Sequence, residues 1–205
     1  MSDAKEGDAH LHRLVLFSDA VFAIAITLLA IEIHPPEHWT SVGELFFLMG
    51  PKLAAYAISF AVIGIYWVSH RRLFERIARA NGMLDALNFI TLGLVALLPL
   101  GTELLWEQEA GRAFPVYVTL VALIGVSLGL LWGYAAFIGK LVKPIRPLLA
   151  TYVLVRVALL PGLMCGLSFF SLVHPWGWGL MAAIVGSLAL AGRRIERRAA
   201  PQDAT

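Results

Sequence analysis

The sequence predicts an all-α membrane protein with six transmembrane helices, and two observations carry that prediction. Hydrophobic residues make up 59% of the 205 residues, whereas charged residues make up only 15%. The apolar residues are also gathered into six long runs. A bilayer has a hydrocarbon core about 30 Å thick, which a helix of roughly 20 apolar residues crosses. Six crossings with short loops occupy nearly the whole chain, so no water-soluble catalytic domain is expected.

Each apolar run is bounded by charged residues, proline or glycine, and each is long enough to cross a bilayer. The runs are residues 14–33, 53–69, 84–105, 114–138, 148–173 and 176–191. In the fourth run, Gly125, Gly129 and Gly133 recur at intervals of four residues, which predicts close packing against a neighbouring helix. Pro161-Gly162 predicts a kink in the fifth helix, because proline removes one backbone hydrogen bond.

Basic residues predict the orientation of the helices, because lysine and arginine concentrate on the cytoplasmic side of a membrane. Of the 16 basic residues, 13 fall on one side, in the N-terminal segment, the second and fourth connections and the C-terminal tail. They are Lys5, Arg13, Arg71, Arg72, Arg76, Arg79, Lys140, Lys143, Arg146, Arg193, Arg194, Arg197 and Arg198. We therefore expect a cytoplasmic segment at 1–12, a six-helix transmembrane domain at 13–192 and a basic cytoplasmic tail at 193–205.

The first helix carries polar side chains in an otherwise apolar span, since Ser18 and Asp19 lie shortly after Arg13. An ionised carboxylate at the bilayer centre costs about 2.5 kcal/mol or more, so Asp19 requires a partner, water or a proton. The residues alone leave open a functional site and a structural pair near the cytoplasmic interface. Arg156 in the fifth helix raises the same question: it either reaches the headgroups or pairs with a carboxylate such as Asp85.

An apolar stripe runs along the first helix on a different face from Asp19. At about 100° per residue, Ile24, Thr27, Leu28 and Ile31 lie within a stripe about 100° wide, and Asp19 is about 140° from Ile24. The simplest interpretation of this periodicity is a stripe that faces lipid, but periodicity alone cannot decide whether it does. The Thr27 hydroxyl can also simply bond the backbone carbonyl one turn back.

A family resemblance bears on whether this stripe faces lipid. Arg13, Phe17-Ser18-Asp19 and the following AVFAIAITLLAIEI resemble the signature of the transmembrane protein 175 family, potassium channels of bacteria and endolysosomes. The later helices match this family only in number and hydropathy. The resemblance extends through the first half of the chain, at Trp67 and His70 in YWVSHRRLF and at Asn88 in the third helix.

The resemblance implies a homotetramer of six-helix subunits in a bacterial cell membrane, with the first helix of each subunit lining a central pore. By position, it implies an apolar constriction at Ile24, a threonine layer at Thr27 and further lining residues at Leu28 and Ile31. It implies passive conduction of K⁺, and it leaves open weak selectivity among monovalent cations and proton permeation. The family lacks the glycine-rich carbonyl filter of ordinary potassium channels, and this sequence has no TVGYG-like segment.

A hydrogen-bonded network is predicted at the cytoplasmic end of the first helix, where it would hold that helix against the second and third. Three of its members belong to the family signature, the other three are positions to which the resemblance extends, and all six are polar or aromatic residues in or beside apolar runs. They are Arg13, Ser18, Asp19, Trp67, His70 and Asn88.

Two other classes of function are weighed against a channel. An intramembrane serine protease would need a base near Ser127, and the sixth apolar run contains no histidine. A secondary transporter remains the alternative, although transporters often show internal repeats, paired broken helices and carboxylates near the midplane. A purely structural membrane protein is a third possibility.

Neither a cofactor nor a resident metal is predicted. The six histidines are scattered, with no HExxH or Cys-His spacing, and no phosphate-binding glycine loop is present. The net charge of +2 does not indicate a nucleic-acid partner, because it hides a strong asymmetry along the chain. The expected partners are the bilayer, monovalent cations and further copies of the chain.

Overall fold

The computed structural model describes residues 2–107, 110–144, 146–158, 167 and 176–199. Its regular elements in these ranges are helical, which confirms the predicted all-α class. They are α1 (Ser2–Ile31), α2 (Val42–Phe74), α3 (Gly82–Ala96), α4 (Leu98–Glu107), α5 (Ala110–Gly133), a π-helical turn (Tyr134–Ile138), α6 (Pro147–Ala158) and α7 (Trp176–Ala199). The predicted kink at Pro161-Gly162 lies outside the described residues.

Four helical stretches are long and apolar enough to cross a membrane, and they correspond to the first four predicted runs. They are Ala9–Ile31, Val42–Phe74, Gly82–Trp106 and Ala113–Ile138. A shorter apolar helix, Pro147–Val157, begins the fifth run, and most of the remainder of that run lies outside the described residues. The sixth run lies within α7, which continues as far as Ala199 into the predicted tail.

Two helices begin well before their apolar runs. The first helix starts at Ser2 and the second at Val42, ahead of the predicted 14 and 53. At the start of α2, the Ser41 side chain accepts the Glu44 backbone N–H at 3.2 Å, and Glu44 accepts the Thr40 backbone N–H at 2.7 Å. These bonds satisfy amide groups that have no intrahelical partner, so the helix can begin at Val42, ahead of Pro51 and Lys52.

The third predicted span is divided into two helices at Leu97. The Leu97 backbone N–H bonds to the Leu94 and Val95 carbonyls, which closes α3 with a tightened last turn. Pro99 follows in the first turn of α4, where a missing N–H is tolerated because that position has no intrahelical acceptor. The break therefore arises from one proline within an otherwise continuous apolar run.

The core is centred on α5, which packs against α3, α4 and α6. Its fully buried side chains include Ile124, Leu128 and Trp132, and the Trp132 indole N–H donates to the Ala150 carbonyl of α6 at 2.9 Å. A Cβ added at Gly133 would lie 3.8 Å from Leu154 of α6. Gly133 therefore faces α6, but a Cβ at this position would make only an ordinary van der Waals contact, so close packing through the glycine spacing stays a prediction.

The predicted cytoplasmic segments of the chain meet at one end of the bundle. The second and fourth connections are joined by backbone bonds, from the Ala78 N–H to the Leu141 carbonyl at 2.7 Å and from the Lys143 N–H to the Arg76 carbonyl at 3.0 Å. Ile77 and Val142, the chain neighbours of Ala78 and Leu141, form an isolated β-bridge. Because both connections are rich in basic residues, this end of the bundle carries concentrated positive charge.

Candidate functional site

Helix α1 divides into a buried face and an exposed face. The buried face contacts the rest of the subunit and consists of Leu14, Ser18, Phe22, Ala25 and Leu29. The exposed face contains the four residues predicted to line a pore, Ile24, Thr27, Leu28 and Ile31. Ile24 is 57% exposed and Ile31 is 64% exposed in the isolated subunit. The subunit therefore leaves an apolar face of α1 free for lipid or for other copies of the chain.

Behind this exposed face, a buried chain of hydrogen bonds joins α1, α3 and α2. The Ser18 hydroxyl donates to the Leu14 carbonyl at 2.8 Å and accepts the Asn88 side-chain N–H at 2.9 Å. The Asn88 side-chain oxygen accepts from Nε2 of His70 at 2.8 Å. Ser18, His70 and Asn88 are almost completely inaccessible to solvent, so each bond is made where no water competes for it.

The donor and the acceptor of each of these hydrogen bonds follow from the chemistry of the side chains. An amide oxygen only accepts, so Nε2 of His70 carries a hydrogen and donates to Asn88. The His70 ring is held by aromatic neighbours: it stacks on Phe74 with centroids 4.3 Å apart and meets Phe22 edge-on at 5.5 Å. Packing and hydrogen bonding together leave His70 one orientation.

A second polar link joins α1 to α2 nearer the surface. The Trp67 indole N–H donates to a carboxylate oxygen of Asp19 at 2.8 Å, so the intramembrane acid has a partner in the same subunit. The Arg71 guanidinium lies over the Trp67 ring, 5.4 Å from its centroid, a cation–π distance. Asp19 is thereby tied to the part of α2 that also carries His70.

Two arginines lie apart from these links. Arg13 is exposed, and in the part of the chain that the structure describes its side chain makes no hydrogen bond or ion pair with Asp19 or its neighbours. Arg156 does not pair with Asp85, because the Asp85 carboxylate lies 3.0 Å from Nε2 of His10 in α1. Arg156 instead lines a polar cavity beside α2.

A third polar cluster was not anticipated from the sequence. Ser59 of α2 lies between Thr102 of α4, at 2.7 Å, and the Tyr117 hydroxyl of α5, at 3.0 Å. Thr102 also contacts the Leu98 carbonyl at 2.8 Å. Each hydroxyl has one hydrogen to donate. Tyr117 therefore donates to Ser59, Ser59 donates to Thr102, and Thr102 donates to the Leu98 carbonyl. A serine and a threonine at the same depth of two apolar spans were the available signal, but nothing in the sequence pairs them.

Substitution of Ser59 by alanine is expected to lower the free energy of unfolding by about 1–3 kcal/mol, because it removes the buried hydroxyl that joins Thr102 of α4 to Tyr117 of α5. Chemical unfolding of the protein in detergent measures the change. Thr119 provides the control: its hydroxyl bonds the Pro115 carbonyl at 2.7 Å but is exposed, so Thr119→Ala should change stability by less than about 0.5 kcal/mol. Equal effects of the two substitutions would contradict a special role for the buried cluster.

Two other candidate hydroxyl groups each bond a carbonyl of their own helix. The Ser127 hydroxyl donates to the Ile124 carbonyl of its own helix at 2.9 Å, which is a frequent bond for serine in membrane helices. The Thr27 hydroxyl likewise donates to the Ile24 carbonyl at 2.8 Å. Among the described residues, no three histidine, cysteine, aspartate or glutamate side chains are grouped as a metal site would require.

The fold and these contacts define an integral membrane protein, a helical bundle whose first helix is supported by buried polar links. A family model described as the endosomal/lysosomal potassium channel TMEM175 matches residues 13–99, a range that contains every candidate residue of α1, α2 and α3. A potassium channel of Streptomyces collinus is 39% identical over 140 residues, covering 64% of this chain and 68% of that protein. The chain belongs to the TMEM175 family, whose members are channels and not enzymes.

Two further comparisons extend beyond the first half of the chain. The human endosomal/lysosomal proton channel TMEM175 is 26% identical over 196 residues, which cover 89% of this chain and 38% of the human protein. The crystal structure of a lysosomal potassium-selective channel TMEM175 homolog from Chamaesiphon minutus superposes with a TM-score of 0.68 at 28% identity, over 90% of this chain and 98% of that one. The likeness in fold therefore includes the later helices as well as the family signature.

Proposed function

We propose that this chain is the subunit of a passive potassium channel, a homotetramer of six-helix subunits in which four copies of α1 surround a central pore. The observation that carries this proposal is the division of α1. One face is fixed to α2 and α3 by buried hydrogen bonds, and the opposite face presents apolar side chains to the outside of the subunit. Relatives named potassium channels support the choice of ion.

Ile24 forms the narrowest part of the proposed pore. Four isoleucine side chains around an axis offer an ion nothing that replaces its hydration shell, so a narrow apolar ring opposes conduction by excluding water. The Ile24 side chain is free within the subunit, because it lies on the exposed face of α1. Leu28 and Ile31 continue the apolar lining toward the end of α1.

Thr27 supplies oxygen to the pore lining with the polarity that a cation needs. Its hydroxyl hydrogen is directed to the Ile24 carbonyl, which leaves the lone pairs of the hydroxyl oxygen as the exposed part of the group. A ring of four such oxygens favours a cation over an anion. One weak oxygen ring replaces little of the hydration shell of K⁺, so selectivity over other monovalent cations and protons is expected to be modest.

The hydrogen bonds behind α1 fix its rotation about its own axis. A rotation by the spacing of a single residue, about 100°, would carry Ile24 off the pore axis. Such a rotation would also separate Ser18 from Asn88 and Asp19 from Trp67, which breaks two links at once. We place this end of the bundle, with both termini, in the cytoplasm of a bacterial cell, because the basic connections gather there.

Reconstitution of the purified protein tests the proposed activity. Liposomes loaded with K⁺ should lose it along its gradient, and planar bilayers should show unitary currents that persist with K⁺ as the only cation. Protein-free liposomes provide the control. Saturating flux with counterflow, and without unitary currents, would indicate a secondary transporter instead. Absence of any flux from an assembled protein would contradict the channel.

Substitution of Asp19 by alanine is expected to lower K⁺ flux several-fold, because a charge-assisted hydrogen bond worth about 1.5–3 kcal/mol no longer holds α1 against α2. Asp19→Asn is the matched control, since the amide oxygen still accepts the Trp67 indole N–H and flux should stay near that of the natural chain. Flux is measured per assembled tetramer, to separate conduction from assembly. Normal flux from an assembled Asp19→Ala tetramer would show that this link does not support the pore.

A further inference from the structure

A polar cavity of about 410 Å³ lies between the end of α2 and helix α6. It is separate from the exposed face of α1. Its wall is formed by charged and polar side chains together with a few aliphatic ones. The charged residues of this wall are Arg72, Glu75, Arg76 and Arg156.

The charges that line this cavity do not balance. Arg72, Arg76 and Arg156 contribute three positive charges, and Glu75 contributes one negative charge. The Glu75 carboxylate already lies 3.5 Å from the guanidinium of Arg71, which is not part of the cavity wall. The cavity therefore holds a surplus of positive charge, and like charges in one cavity repel each other unless an anion joins them.

The three arginines are also available to bind. In the described ranges of the chain, the guanidinium groups of Arg72, Arg76 and Arg156 have no hydrogen-bond or ion-pair partner. Arg156 gives the strongest indication of a missing anion, because it lies in an apolar helix, where an unpaired charge is unfavourable. Three guanidinium groups provide many N–H donors, and guanidinium matches the oxygens of phosphate with two parallel hydrogen bonds.

We propose that this cavity binds a phosphate group between Arg72, Arg76 and Arg156. The cavity lies at the end of the bundle where the basic connections meet, and basic side chains at the ends of membrane helices attract anionic lipid headgroups. The phosphate can therefore belong to an anionic lipid headgroup or to a soluble phosphate. In either case it joins α6 to the end of α2, and α2 is the helix that holds α1 through Trp67 and His70.

Thermal unfolding of the full-length protein tests this site without measuring conduction. The protein is placed in nanodiscs of phosphatidylcholine alone and in nanodiscs that also contain phosphatidylglycerol. The variants are Arg72→Gln and Arg156→Gln. Arg79→Gln is the matched control, because Arg79 is an exposed arginine of the same basic end that does not line the cavity.

Phosphatidylglycerol should stabilise the natural chain and the Arg79→Gln variant. The affinity for this lipid, measured by titration, should fall about fivefold for each arginine removed from the cavity. Stabilisation by inorganic phosphate in phosphatidylcholine nanodiscs, lost in the same two variants, would identify a soluble phosphate as the ligand. Equal responses of all variants to both probes would show only general attraction between charges, and would overturn the proposal.

Each variant is also unfolded in phosphatidylcholine without phosphate. The stability of Arg72→Gln and Arg156→Gln there should equal or exceed that of the natural chain, because one of three repelling charges has been removed. A large loss of stability in both variants under these conditions would mean that the arginines are needed by the fold itself, which contradicts a site built for an anion. None of these outcomes depends on whether the protein conducts K⁺.

Discussion

Replacement of Ile24 by asparagine is expected to raise K⁺ flux on the order of thirtyfold, which corresponds to a barrier lowered by about 2 kcal/mol. The physical reason is that an apolar ring excludes water, whereas four asparagine amides can hydrogen-bond water and replace part of the hydration shell of an ion. The Ile24 side chain makes few contacts within its own subunit, being 57% exposed. Its replacement should therefore change conduction without disturbing the fold of the subunit.

Ile58→Asn is the matched control for this experiment. Ile58 is the same residue type with the same exposed fraction, 57%, but it lies on α2. Its replacement places the same amide on another exposed face and should leave flux per tetramer unchanged. Unchanged conduction in assembled Ile24→Asn tetramers would place the constriction elsewhere. An equal rise in both variants would indicate general leakage of a destabilised bundle.

Much of the fold could be predicted because the bilayer imposes a simple requirement. Every backbone polar group inside the membrane must be satisfied, so a long apolar run such as 114–138 has one outcome, a helix. The starts of α1 and α2 were predicted less well, since an apolar run does not show how far a helix continues beyond the charged residue or proline that bounds the run. For α2 a local signal was present and not used: Ser41 and Glu44 have the spacing of a capping box.

The buried contacts behind α1 could be predicted only in part. The cost of Asp19 in an apolar helix required a partner, and the family resemblance directed attention to Trp67, His70 and Asn88. The sequence could not show that these residues form two separate links, because hydrogen bonding depends on the relative rotation of three helices. The same reason explains why the Ser59, Thr102 and Tyr117 cluster was missed, since each residue alone is an ordinary helix residue.

Replacement of Asn88 by leucine is expected to lower the free energy of unfolding by about 3 kcal/mol. Leucine has a similar size, so the loss comes from hydrogen bonding: Asn88 both donates to Ser18 and accepts from His70. The Ser18 hydroxyl still donates to the Leu14 carbonyl, but the N–H of His70 is left buried without an acceptor. Chemical unfolding in detergent measures the effect. A loss of less than about 1 kcal/mol would show that water or movement of the ring satisfies His70 instead.

A second substitution identifies the unsatisfied group. In the Asn88→Leu protein, His70→Phe removes the stranded N–H and keeps an aromatic ring between Phe22 and Phe74. Removal of both hydrogen-bonding partners can be nearly neutral, whereas removal of one is not. The double variant should therefore be more stable than Asn88→Leu alone, although His70→Phe by itself should destabilise the natural chain by leaving the Asn88 side-chain oxygen without its donor. Additive losses would mean that the two side chains stabilise the protein independently, and that no continuous polar chain holds α1 in place.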